Sequence, residues 1–72
     1  MTRTTIKRAL KSAAGGAEFI DRSGVKRCMG WGNGRTDDTL KGLDFIRLKQ
    51  RKQYDIEEVA DRIYASVERS EA

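Results

Sequence analysis

Three features of the 72-residue chain predict an α+β domain, mostly helical with a small antiparallel sheet. Apolar residues recur at helical spacing near both ends. A glycine-bearing break divides two short helical stretches in the middle. An apolar run, a cationic turn and a second apolar run then read as a β-hairpin. The expected order is helix, strand, helix, helix, strand, cationic turn, strand, helix, in one domain over 1–72 with frayed ends at 1–3 and 69–72.

The first helix is predicted over 4–14, "TTIKRALKSAA", where Ile6, Ala9, Leu10 and Ala13 form one stripe and Lys7, Arg8 and Lys11 lie off it. Gly15-Gly16 ends it. "AEFID" (17–21) is too short for a helix and aromatic and β-branched at its centre, so a strand is expected. Ser23 is the expected N-cap of a helix over about 24–30 that buries Val25, Cys28 and Met29. "GWGNG" has three glycines in five residues and reads as a turn of about that length. Thr36 then caps a helix over about 37–43, with Asp37 and Asp38 in its first turn and Leu40 and Leu43 buried. Two short helices about such a turn make a helix-turn-helix candidate.

In "LDFIRLKQRKQYDI", Phe45, Ile46 and Leu48 precede the polar "KQRKQ", and Tyr54 and Ile56 resume the apolar pattern. Asp55 with Glu58 three residues on forms a capping box, with Tyr54 and Val59 at the staple positions. The last helix carries Ile56, Val59, Ala60, Ile63 and Val67 toward the core.

Composition narrows the functional classes. One cysteine allows no internal disulfide, and with no histidine there is no zinc ligand set. Cys28 reads as a small buried hydrophobe in a reducing cytosol, the alternative being a reactive thiol. No apolar run has the length of a membrane span, so a cytoplasmic protein is expected. Nothing pairs Cys28 or a serine with a general base, which argues against an enzyme. The charge is uneven: residues 1–54 carry 13 Lys or Arg against five acids, and residues 55–72 carry six acids against two arginines. Either a basic working body ends in an acidic element, or the surface is merely mixed and solvated.

This order, and "RTDDTLKGLDFIRLKQRKQYDIEEVADRI" in particular, resembles small winged helix-turn-helix modules of the excisionase and MerR type. The resemblance spans 4–68 in element order and is specific over about 35–63. It implies a recognition helix on Arg35 to Leu43, a wing on Lys49, Gln50, Arg51 and Lys52, and Arg47 on the strand leading in. Phosphate contacts would fall to Arg47, Lys49, Arg51 and Lys52, supported by Lys26 and Arg27. Base edges would be reached by Arg35, Thr36, Thr39 and Lys41, with Arg35 toward a guanine as the preferred contact. Asp37 and Asp38 either start the helix or accept from cytosine amino groups.

Two residue groups stay open at this level. The cationic turn contacts phosphate or only protects a sheet edge from aggregation. Trp31 closes the core or stands exposed for a partner. The implied function is that of a phage or mobile-element DNA-binding protein, acting without cofactor as an accessory recombination factor or small transcription regulator. Its partners would be double-stranded DNA, a second copy or cooperative neighbour, and a recombinase, with no membrane. The alternative is a protein-interaction module that contacts its partner through the acidic last helix or Trp31.

Overall fold

In the computed structural model Thr2 opens the first helix: its hydroxyl accepts from the Thr5 N–H at 3.2 Å, and α1 runs Arg3–Ala13. The structure describes residues 2–66 in full and helical backbone to Glu71. The expected core place of Val67 and the frayed end at 69–72 fall outside the fully described residues. Ile6 and Leu10 face the core, whereas Ala9, expected on the same stripe, is exposed. The helix ends in a Schellman arrangement, Gly16 N–H to the Lys11 carbonyl at 2.8 Å and Gly15 N–H to that of Ser12 at 3.1 Å.

Strand β1, Phe19–Asp21, leads directly into α2, Arg22–Met29. The α2 cap is Asp21, whose carboxylate accepts from the Gly24 N–H at 2.7 Å, and not Ser23 as the sequence suggested. α3 is Asn33–Leu40, beginning about four residues earlier than expected. Its cap position is Gly32, without a side-chain bond. Thr36 lies inside the helix and its hydroxyl donates to the Gly32 carbonyl at 2.9 Å. Asp37 and Asp38 are therefore not first-turn residues.

The turn between α2 and α3 is Gly30 to Gly32, three residues instead of about five. Gly30 makes this possible with φ +68°, a left-handed conformation that costs glycine nothing. After α3, Lys41 at φ −60° and ψ 128° with Gly42 at φ +82° forms a type II turn, closed by Leu43 N–H to the Leu40 carbonyl at 3.1 Å.

β2 (Phe45–Leu48) and β3 (Arg51–Asp55) form the expected hairpin, and β3 also pairs with β1, all antiparallel, in the order β1-β3-β2. The hairpin loop is only Lys49-Gln50, both with positive φ (51° and 65°), as a type I′ turn requires. α4, Ile56–Glu71, follows at once. Asp55 caps it through the Glu57 N–H at 2.9 Å. The Ile56 N–H is taken by the Glu18 carbonyl at 3.2 Å.

The core gathers Ile6 and Leu10 of α1, Ile20, Val25, Leu40, Tyr54, and Ile56, Val59, Ala60 and Ile63 of α4. Cys28, Met29, Trp31 and Leu43 pack at its margin. Trp31 is thus a partial lid, with the Arg35 guanidinium 4.8 Å from its ring centroid. Burial pushes the Cys28 thiol above its ordinary pKa, which disfavours the reactive thiolate. Phe45, Ile46 and Leu48 of β2 are all exposed, because β2 lies at the sheet edge. Across α1 and α4, Arg3 pairs with Glu57 and Asp61, and Lys7 pairs with Glu57. Among the described residues there are four helices and three strands, and no helix is long and apolar enough to cross a membrane.

Candidate nucleic-acid interface

Pleat and register decide which hairpin cations face the helices. Tyr54 is buried and lies opposite both Ile20 and Phe45, so these three mark the inner face of the sheet. Arg47 and Lys52, directly opposite one another, are on that same face by the two-residue alternation. Lys52 reaches over the Phe45 ring, 4.7 Å from its centroid. Arg51 is paired with Leu48 on the other side of the pleat, but it meets Asp21 at 3.1 Å and lines a cavity with Arg22, Asp37, Lys52 and Tyr54. By the pleat Arg47 and Lys52 lie inward, Arg51 starts from the other side and reaches Asp21 beside Arg22 and Lys52, and Lys49 and Gln50 form the tip.

The α3 helix has three sides. Thr36 and Leu40 point into the core, and Thr36 is fully buried. That removes Thr36 from the residues expected to touch base edges, since its hydroxyl is spent inside the helix. Arg35, Asp38 and Thr39 line a groove shared with Arg62, Ala65 and Ser66 of α4. Asp37 turns to α2, where Arg22 holds it, and this contact keeps the Asp37 carboxyl below its ordinary pKa, with Lys26 adding to the effect. Thr39 is half-buried and donates to the Arg35 carbonyl at 2.9 Å.

A second groove lies between α3 and the hairpin. Arg22, Asp37, Asp38, Lys41, Lys52 and Tyr54 are among the residues that line it. Here the structure brings together Lys41 from the end of α3 and Lys52 from β3, with Lys26 close by. Arg27 is directed elsewhere, into a concavity with Ala13, Ala17, Phe19 and Gln53. Among the described residues no acid forms a salt bridge with Arg47, Lys49, Lys52 or Lys41. Two cations directly across an antiparallel pair repel by a few tenths of a kcal/mol in the absence of an anion.

Three residues that position this region were not identified as such from sequence. Asp21 does double duty as cap of α2 and partner of Arg51; an acid three residues before Gly24 was a readable cap signal. Arg22 joins α2 to α3 through Asp37 and Asn33. Arg62 donates to the carbonyls of Thr39 and Lys41, at 3.4 and 2.9 Å, closing the C-terminal end of α3. Neither of these long-range links has a local sequence signature. Compared with family models, with curated proteins and with solved structures, the chain matches none of them.

Proposed function

We propose that this chain binds double-stranded DNA as a winged helix-turn-helix module, α2 and α3 forming the helix pair and the β2–β3 hairpin the wing. The observation that carries this reading is the facing pair Arg47 and Lys52 on the α3 side of the hairpin, with Lys49 at the tip and Lys41 beside them. None of the four has an acidic partner among the described residues, and a phosphate backbone would relieve the repulsion between the facing two. The backbone at Lys49 and Gln50 adds support. Non-glycine residues in left-handed conformations cost about 1–2 kcal/mol each, and Asn-Gly would avoid most of it. A cation at a position with such a backbone cost supports a use for the side chain.

The contacts then sort by position. Arg47, Lys49, Lys52 and Lys41 neutralise phosphates, and Lys26 contributes at longer range. Arg51 joins them by exchanging its exposed pair with Asp21, a bond of little net strength at a solvated surface. Arg35, exposed on α3, keeps the base-reading role, with Thr39 beside it. Asp37 and Asp38 line the same groove as Lys41 and Lys52, so tight approach of phosphate to the middle of α3 is disfavoured, and affinity rests on the wing. No cofactor is needed for such a role, whether accessory factor in recombination or small regulator of transcription.

Fluorescence anisotropy with a random duplex over a salt series tests the proposal. Binding at low salt should weaken linearly in log–log form. Arg47→Ala with Lys52→Ala should reduce the slope by ~1.8, at ~0.9 per lost phosphate contact. No binding at low salt, or an unchanged slope, would overturn it.

A reading as a protein-interaction module is favoured by a different observation. Phe19, Ile46 and Leu48 are exposed together on the outer sheet face, away from the cationic groove.

A further inference from the structure

β2 is an open edge. In the sheet order β1-β3-β2 it has a neighbour on one side only, and all four of its residues are exposed. Three are large and apolar: Phe45 and Ile46 are each 43% exposed and Leu48 is 51% exposed. Edges of this kind are ordinarily protected by charge, proline or a bulge. Here Arg47 is the single charge within the strand. A two-residue hairpin loop closes on a hydrogen-bonded pair, Leu48 with Arg51. The alternation then turns the N–H and C=O of Phe45 and Arg47 away from β3, toward the open side.

We propose that this edge pairs with the β2 edge of a second copy of the chain, antiparallel, about a two-fold axis through Ile46. The register follows from the residues. With the axis at Ile46, the two Ile46 side chains meet on the outer face, and each Phe45 lies opposite the other copy's Arg47 in a hydrogen-bonded pair. An axis at Arg47 would set two guanidinium groups directly opposite each other. An axis between residues would put the outer face of one copy against the inner face of the other.

Charge selects a second copy, and the antiparallel sense, as well. The base of the hairpin is acidic: Asp44, Asp55 and Glu58 surround the cleft that holds Phe19 and Ile46. The tip is cationic, with Lys49, Arg51 and Lys52. Antiparallel pairing places each acidic base beside the other copy's cationic tip, so one surface is complementary to itself. Parallel pairing would place tip on tip. The two-fold axis is normal to the sheet, so both α3 helices lie on one side of a six-stranded sheet. Five paired residues per copy, Asp44 to Leu48, fall well short of the ~800 Å² per partner of a standard interface, so the dimer is weak on its own. It does not depend on nucleic acid.

Sedimentation equilibrium of the full chain at low salt, up to about 1 mM to suit a weak complex, reads the association directly. The expected result is a monomer–dimer equilibrium. Ile46→Lys, at an exposed position, should abolish it while the circular-dichroism melt stays that of a folded chain. Register is read separately in a Cys28→Ser background. Ile46→Cys should give a disulfide-linked dimer under mild oxidation, because the facing residues of a non-hydrogen-bonded pair have Cα atoms about 4.5 Å apart. Leu48→Cys, placed opposite Asp44 of the other copy, should not. A monomeric wild type at the top concentration, a dimer that survives Ile46→Lys, or equal cross-linking at both positions would each overturn the proposal.

Discussion

Arg22, the first residue of α2, grips both carboxylate oxygens of Asp37 on α3, Nε to Oδ1 at 2.5 Å and Nη2 to Oδ2 at 3.2 Å. The same guanidinium reaches Asn33 at 3.3 Å. One side chain thus ties the start of one helix to the side of the next across the three-residue turn, in addition to the core packing of Val25 and Leu40. It also uses up a cation and places an anion at the groove where Lys41 and Lys52 lie.

Asp37→Ala should therefore strengthen binding to duplex DNA while leaving the fold intact. The change removes a negative charge from the groove and frees Arg22 for a phosphate. Anisotropy titrations should show tighter binding at every salt concentration and a slope steeper by ~0.9. Weaker binding would mean that Asp37 acts chiefly by setting the orientation of α3.

Gly24→Ala should destabilise the protein although alanine is the better helix former by ~1 kcal/mol. A Cβ at this buried position would come 2.7 Å from Ile20 Cγ1 and 3.1 Å from Asp21 Oδ1. Ile20 is itself buried and has little room to move. Overpacking of this kind costs ~1–3 kcal/mol. Urea unfolding followed by circular dichroism should show a lower midpoint with an unchanged m-value.

How far these positions were readable from sequence depends on whether the deciding interaction is local. The four helices, the hairpin and the Asp55 cap rest on neighbours in the chain, and their signals pointed to the right places. The start of α3 did not. Thr36 followed by two aspartates has the look of a cap, but burial of Thr36 and Leu40 one turn apart sets the helix phase, and the start at Gly32 carries no capping side chain. In β2 the apolar run marked a strand, while its place at the sheet edge depends on strand order, which no local pattern carries. The groove was half legible. Lys41, Arg47 and Lys52 stand out as cations near the hairpin, while Arg22–Asp37 and Arg62–Lys41 link residues 15 and 21 positions apart, which no local pattern reveals.

Gln50→Gly should raise stability by ~1 kcal/mol, because glycine adopts the φ of +65° without steric cost and suits the second position of a type I′ turn. The urea midpoint should rise, and the salt dependence of DNA binding should stay as in the wild type, since Gln50 carries no charge. A lower midpoint would show that the Gln50 side chain stabilises the tip by more than its backbone costs.

Acid should weaken the α1–α4 contact over a defined window, through Glu57. The Lys7 ammonium and the Arg3 guanidinium hold its carboxyl down to about 2 from an ordinary value of 4.5. Asp61 shares Arg3 at the same surface and adds a second acid to the cluster. A group whose pKa is lower in the folded state contributes its full share above the unfolded value and loses it as pH falls toward the folded one. The contribution is therefore complete above about pH 4.5 and gone near pH 2. Because all four side chains are substantially exposed, salt should shrink the effect as well. Urea unfolding of the wild type and of Glu57→Gln, from pH 6 down to pH 2, reads this directly. The wild type should be the more stable at pH 6, the two curves should converge below pH 4.5, and 0.5 M salt should bring them together at every pH. A gap that persists unchanged to pH 2 would assign the stabilisation to packing of the Glu57 stem against α1 instead of to its charge.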